Sequence, residues 1–198
     1  CRIRAKSLYR LDGILFIIYH ITMTPSISSK HRILQAAASV VDESGAAHLT
    51  LEAVAEAAGL SKGGLLYHFP NKRALLSGML GYLLDRVQER AEQFTEGAEI
   101  PGIVALIAAQ QARDDVERVM SRAILAAAAE DPSLLDPARD ALGQWFAAAD
   151  KESPYGLILL LAVEGLRFVE MLNLFELSSK AQSRIYKQMV DMAEKDRL

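Results

Sequence analysis

The run Ser61-Lys62-Gly63-Gly64, followed by Tyr67-His68, gathers side chains that can meet a polyanion. Lys62 can donate to O6 and N7 of a guanine or neutralise a phosphate. Gly63 and Gly64 carry no side chains, so a helix starting there can approach base edges and phosphates closely, with free backbone N–H groups aimed at an anion. Tyr67 and His68 follow one turn later, where their polar tips reach a nucleic-acid backbone, and Lys72 opens the next segment, where it can hold a further phosphate. Taken singly, each has a plainer reading. Lys62 and Lys72 alone are solvated charges, His68 alone is a surface histidine, and Tyr67 can be a core residue with a satisfied hydroxyl. Their joint placement on one short, glycine-rich helix favours contact with DNA. Leu60, Leu65, Leu66 and Phe69 read as core, because so small a module needs every large apolar side chain it has.

The elements that must position these residues are helices. Ser61 can cap the short helix itself. Thr50 caps the helix before it, whose apolar face is Leu51, Val54, Ala55 and Ala58 and which Gly59 terminates. Further upstream, Ser28 or Ser29 caps a helix with Ile33, Leu34, Ala37, Val40 and Val41 on one face, ended by Gly45. Two short helices around a tight glycine turn have the proportions of a helix-turn-helix, whose second helix enters the DNA major groove. Pro70 and Asn71 break that helix. A fourth starts at Lys72 and runs through Leu75, Leu76, Met79, Leu80, Leu83, Leu84 and Val87, apolar over a wide arc as befits a rod between two packed bodies. Pro101-Gly102, Asp131-Pro132, Asp136-Pro137 and Ser153-Pro154 divide the remainder into about five helices, an α-bundle. The expected fold is all-α: an N-terminal three-helix module joined by a long helix to a C-terminal helical bundle. The boundary falls near residue 77, giving domains 26–77 and 78–198.

Composition bounds the rest. The 198 residues are 51% apolar and 24% charged, which suits a packed globular chain. A single cysteine and four scattered histidines leave no disulfide scaffold and no metal-ligand spacing, so neither metal nor cofactor is expected. The net charge of −3 is unevenly spread: residues 1–25 and 26–77 are net basic, and the remainder is strongly acidic. A local basic face suffices for docking on phosphates, and the acidic remainder implies weak nonspecific binding. Residues 1–25 are read as an N-terminal extension, disordered or not native, with Met23 as the expected start; Gly13 to Ile21 is too short for a membrane span and lacks a signal-cleavage pattern. A cytoplasmic location without membrane contact follows as the expectation.

The stretch Ala58 to Leu76, AGLSKGGLLYHFPNKRALL, closely resembles the signature of the TetR family of bacterial transcriptional regulators. The likeness spans about Ser28 to Leu80, including the Leu49-Thr50-Leu51 lead-in and the His68-Phe69-Pro70-x-Lys72 ending; the acidic remainder resembles the family only as a helical bundle. The resemblance implies a homodimer that binds a palindromic double-stranded DNA operator, usually as a repressor, and leaves it when a small-molecule effector enters the C-terminal domain. By position it assigns Lys62, Gly63 and Gly64 to base reading and Thr50, Tyr67, His68 and Lys72 to phosphates, with Ser61 in the same DNA-binding set. Two departures bear on specificity. Gly64 stands where the family commonly has Thr or Ala, and Leu66 where it has tyrosine, a contact Tyr67 can replace. Glu52 also lies near the phosphate-facing side, where a carboxylate weakens binding.

In the C-terminal domain the only charges between Tyr155 and Phe175 are Glu164, Arg167 and Glu170, so that helix is expected to be buried on nearly all sides. Arg167 reaches both carboxylates at a spacing of three, which makes an intrahelical ion network the first reading and a ligand anchor the second. Trp145, Phe146, Phe168, Met120 and Met171 can line an effector pocket or simply fill core. The effector candidates are thus Met120, Trp145, Glu164, Arg167, Phe168 and Met171. By the resemblance, helices over about 154–177 and 179–195 form the dimer seam, the second through Ile185, Met189 and Met192. The competing reading is an all-helical enzyme or partner-binding bundle with an incidental helix-turn-helix-like segment, for which no catalytic grouping speaks.

Overall fold

Side-chain caps start the first helices. In the structure, a computed structural model that describes residues 28–95 and 102–195, Ser28 Oγ accepts from His31 N–H and opens α1, Ser29–Ser44. Thr50 and Ser61 do the same, at 3.1 Å each, for α2, Leu51–Ala57, and α3, Lys62–His68. The turn between α2 and α3 needs Gly59, whose φ of +64° is strained for any L side chain. Asn71 Oδ1 accepts from Ala74 N–H at 2.8 Å and starts α4, Lys72–Thr95. The long rod expected from the sequence is therefore present, and the extension expected over 1–25 lies outside the described residues.

Five further helices follow: α5, Gly102–Gln111; α6, Asp115–Ala128; α7, Asp136–Glu152; α8, Gly156–Met171; and α9, Ser179–Lys195. Pro132 and Pro137, read as breakers, sit in first turns, of a short 3-10 segment at Pro132–Leu135 and of α7, where a missing N–H costs nothing. Asn173, at φ +50°, closes the chain past α8, so this helix stops before Leu177. All regular structure among the described residues is helical.

Two apolar clusters share α4. The first unites Ile33, Leu34 and Val41 of α1, Val54 of α2, Leu65 and Phe69 around α3, and Leu75, Met79 and Leu83 of α4. It also takes in Val119, Met120, Ala123 and Ile124 of α6 and Leu134. The three-helix head is thus completed by a helix from the other side of α4. Phe69 lies so close over Gly78 that a Cβ there would stand 2.5 Å from its ring. The second cluster joins Val87 of α4 to Ile103 and Ile107 of α5, Leu159, Leu160 and Val163 of α8, and Tyr186 and Met189 of α9.

A largely buried ion pair joins α4 to α6. Arg90 Nη1 and Nη2 donate to the two carboxylate oxygens of Glu117 at 2.9 and 2.7 Å, and Glu117 is 1% exposed. The same carboxylate accepts from Asp114 N–H, completing a capping box at the start of α6.

α8 departs from expectation. Its inner side is buried, but Ile158, Leu161, Phe168 and Leu172 form an exposed apolar stripe, so the helix is not enclosed on all sides. On α9, Met189 turns inward to its own core and Met192 faces out, which divides the three residues expected to form one seam.

Glu117→Ala should lower stability by about 3–5 kcal/mol in urea denaturation, because it strands the Arg90 guanidinium in the interior. Arg90→Met combined with Glu117→Leu should recover most of that loss. A cost of under about 1 kcal/mol for the single change would mean the pair is not held as described.

Candidate nucleic-acid interface

The exposed end of α3 is built from its caps outward. Ser61 Oγ occupies the Gly64 N–H, so one of the backbone donors expected to be free at this helix start is already bonded. Lys62 and Gly63 are exposed. Two glycines in a seven-residue helix weaken it by roughly 1 kcal/mol each relative to alanine. A Cβ on Gly63 would meet no atom within 4 Å. Nothing in the fold itself asks for glycine at that position.

Tyr67 is 86% exposed, which disposes of the core reading; its ring meets His68 edge-on, with centroids 5.2 Å apart. Leu65 and Phe69 are buried as expected, and Leu60 and Leu66 are partly so. Thr50 and Ser61 are exposed beside their capping bonds. Lys72 is exposed too and borders a groove that also includes Leu49, the neighbour of Thr50. Arg73, one residue on, turns away to pair with Asp131 at 3.2 Å.

One contact couples α2 to α3 at this surface. Lys62 Nζ stands 2.7 Å from Glu52 Oε1, both side chains being well exposed. Its hydrogen bond to Lys62 is the main cause that holds the Glu52 carboxyl below the usual carboxylate range, so the pair persists into mildly acidic solution. Both residues stood out in the sequence, but their pairing did not. The cation that would meet DNA is already neutralised by a neighbour.

The effector candidates divide. Trp145, Glu164 and Arg167 line one cleft of about 80 Å³ between α4, α7 and α8. Met171 borders an adjoining narrow gap that includes Arg167 and Tyr186. Met120, wholly buried, belongs to the first apolar cluster, where α6 completes the head, and it lines none of the described clefts. Phe168 faces outward beneath the Arg167 guanidinium, 4.9 Å from its ring centre. Arg167 pairs with Glu164 at 2.7 Å, but Glu170 accepts instead from Gln182 of α9, so the expected three-membered network on α8 is only half formed. The 80 Å³ cleft shares Val87 and Trp145 with a larger one of about 230 Å³, whose carboxylate Glu152 accepts from Ile103 N–H and so caps α5. Sequence reading missed Gln110 and Arg113, which also line the smaller cleft. Their signal was a polar residue at the end of the otherwise apolar run Ile103 to Ala109.

No helix among the described residues is long and apolar enough to cross a membrane, and no group of three or more metal-ligating side chains occurs among them.

Two family models match the chain. One, described as bacterial regulatory proteins of the tetR family, covers residues 33–79, and one, described as the tetracyclin repressor-like C-terminal domain, covers residues 102–194. Among solved structures, a TetR-family transcriptional regulator from Rhodococcus sp. superposes with a TM-score of 0.66 at 24% identity, over 84% of this chain and 99% of that one. GusR of Salmonella enterica gives 0.61 at 18% identity, over 88% and 97%. The ketosteroid transcriptional regulator KstR2 of Mycobacterium tuberculosis gives 0.58 at 17% identity, over 84% and 93%. At these identities the likeness to the solved structures shows the fold.

Gly63→Ala should raise thermal stability modestly, by up to about 1 kcal/mol, while weakening DNA binding in an anisotropy titration. Equal or tighter DNA binding by this variant would remove the argument for close approach. Glu52→Gln releases Lys62 and should tighten DNA binding by about fivefold or less, with the gain fading at high salt.

Proposed function

Because the chain belongs to the TetR family of bacterial regulatory proteins, we propose that it is a ligand-responsive DNA-binding transcriptional regulator, a homodimer that represses from a palindromic operator and leaves it when a small-molecule effector binds. Residues 26–77 would read the DNA, and residues 78–198 would hold the effector and dimerise. The observation that carries the reading is the outer side of α3. Lys62, Gly63 and a Tyr67 that is 86% exposed stand at the surface on a helix too glycine-rich to be explained by its own stability. In this reading Lys62 and the two glycines meet base edges, while Thr50, Ser61, Tyr67, His68 and Lys72 hold phosphates on either side.

Dimerisation is supported by α8. Ile158, Leu161, Phe168 and Leu172 recur at heptad-like intervals on its exposed side, with Gly165 between them. An apolar stripe of this length is rarely left in water, and a second copy of the same helix is its natural cover. Two α3 helices held by that seam would enter successive major grooves about one helical turn apart.

Effector control is supported by the course of α6. Its Glu117 carbonyl and Ser121 hydroxyl accept from Arg113 in the cleft, and Met120, Ala123 and Ile124, interleaved with them along the helix, lie in the core of the head. A ligand that prefers one placement of α6 would shift the population of head spacings.

Fluorescence anisotropy with duplex DNA from upstream of the protein's own gene tests the reading against a scrambled duplex. Preferential binding is expected, weakening by on the order of a thousandfold from about 50 to about 200 mM salt for roughly six phosphate contacts. Lys62→Ala with Tyr67→Ala should abolish it without loss of helicity. Binding that survives the double change would favour a bundle whose helix-turn-helix is incidental. Separately, Leu161→Glu should convert a dimer into a monomer in analytical ultracentrifugation and weaken specific DNA binding with it.

A further inference from the structure

The polar end of the 80 Å³ cleft holds an acceptor with nothing to accept. Gln110, 7% exposed, donates from Nε2 to Glu164 Oε1 at 3.2 Å, which fixes the amide, since the flipped orientation would set two oxygens face to face. Its Oε1 is left buried without a hydrogen-bond partner.

Beside it stands a guanidinium without a counter-ion. Arg113 Nη2 donates to Ser121 Oγ and to the Glu117 carbonyl at 3.2 Å, both neutral acceptors, and no carboxylate among the described residues lies within ion-pair distance. Of the nearby carboxylates, Glu117 is held by Arg90 and Arg86, Glu164 by Arg167, and Glu170, in the adjoining gap, accepts from Gln182. With Arg167 cancelled by Glu164, the cleft retains the positive charge of Arg113. Burial, reinforced by the like charge of Arg167, depresses the Arg113 pKa. An anion arriving there would relieve both effects.

From this geometry we infer that the cleft seats a small organic carboxylate carrying a hydroxyl or amine donor on an apolar body. Arg113 takes the carboxylate through its remaining donors, and Gln110 Oε1 accepts from the ligand's donor. Leu83, Leu84 and Trp145 face the apolar part, which can extend past Val87 into the 230 Å³ cleft. A cation would be repelled by Arg113, and a purely apolar molecule would leave Gln110 Oε1 unsatisfied. The inference rests on the proposed effector role of the helical domain and narrows it to one chemical class.

Isothermal titration calorimetry of the full chain tests it with matched acids and amides: 3-hydroxybenzoate, 4-hydroxyphenylacetate and 10-hydroxydecanoate, each against its own primary amide and its deoxy acid. At least one hydroxy acid should bind about tenfold or more tighter than its amide, and Arg113→Met should erase that preference. Arg113→Lys should keep part of it, and Gln110→Leu should erase the preference for hydroxy acid over deoxy acid while leaving that for acid over amide. Amides binding as well as acids, no acid binding at all, or unchanged selectivity in folded Arg113→Met would overturn the inference. DNA affinity measured in parallel separates the two readings. Specific DNA binding with no acid bound removes the carboxylate site and leaves the DNA reader standing. Acid binding that depends on Arg113 but leaves DNA affinity untouched establishes the site and removes its effector role.

Discussion

A carboxylate buried beside a long helix sets the conditions for much else in this chain. Glu117 faces Arg90 with both oxygens, caps the start of α6 with Asp114, and lends its own carbonyl to Arg113. Arg86, one turn earlier on α4, stands 3.5 Å from the same carboxylate, and removing Glu117 would leave Arg90 in a medium that solvates it poorly, so α4 and the first turn of α6 are bound to one another in a single register. Apolar packing alone would allow some sliding between these helices. A bidentate pair does not.

That register matters because neither end of the molecule is self-sufficient. The helix-turn-helix head is small, and α6, packed on α1 and α4, adds Met120, Ala123 and Ile124 to its apolar cluster. The same stretch of α6 touches the cleft, through Ser121 and the Glu117 carbonyl. One rigid element therefore belongs to the head's core and to the cleft's wall. In the proposed regulator this is how an event at Arg113 would be felt at α3, with α4 as the axis about which the head is held. The exposed stripe on α8 meets the cleft at Phe168, which lies beneath the Arg167 guanidinium, so in the proposed dimer the seam adjoins the cleft wall.

The head was legible in the sequence because its determinants are local. Hydroxyls at Ser28, Thr50 and Ser61 announce helix starts within three residues, and Gly59 marks a turn that only glycine adopts at ease. The ion pair was not legible, because Arg90 and Glu117 lie 27 positions apart and no period connects them. The same holds for Lys62 and Glu52: each was singled out, but only folding shows that one holds the other. α8 illustrates a different limit. Its composition reports how apolar the helix is, and cannot tell a side chain covered by its own core from one left for a partner, so Leu161 and Phe168 read as interior. Met120 was read as possible pocket lining because its membership in the head's core depends on where α6 packs.

In the proposed regulator two copies of α3, held at a fixed distance, read duplex DNA. Selection from a pool of random-sequence duplexes, followed by sequencing of the bound fraction, tests it without any assumption about the operator. The expected result is enrichment of inverted repeats whose half-site centres lie about one helical turn apart. A single unrepeated motif, or no enrichment over the starting pool, would contradict it.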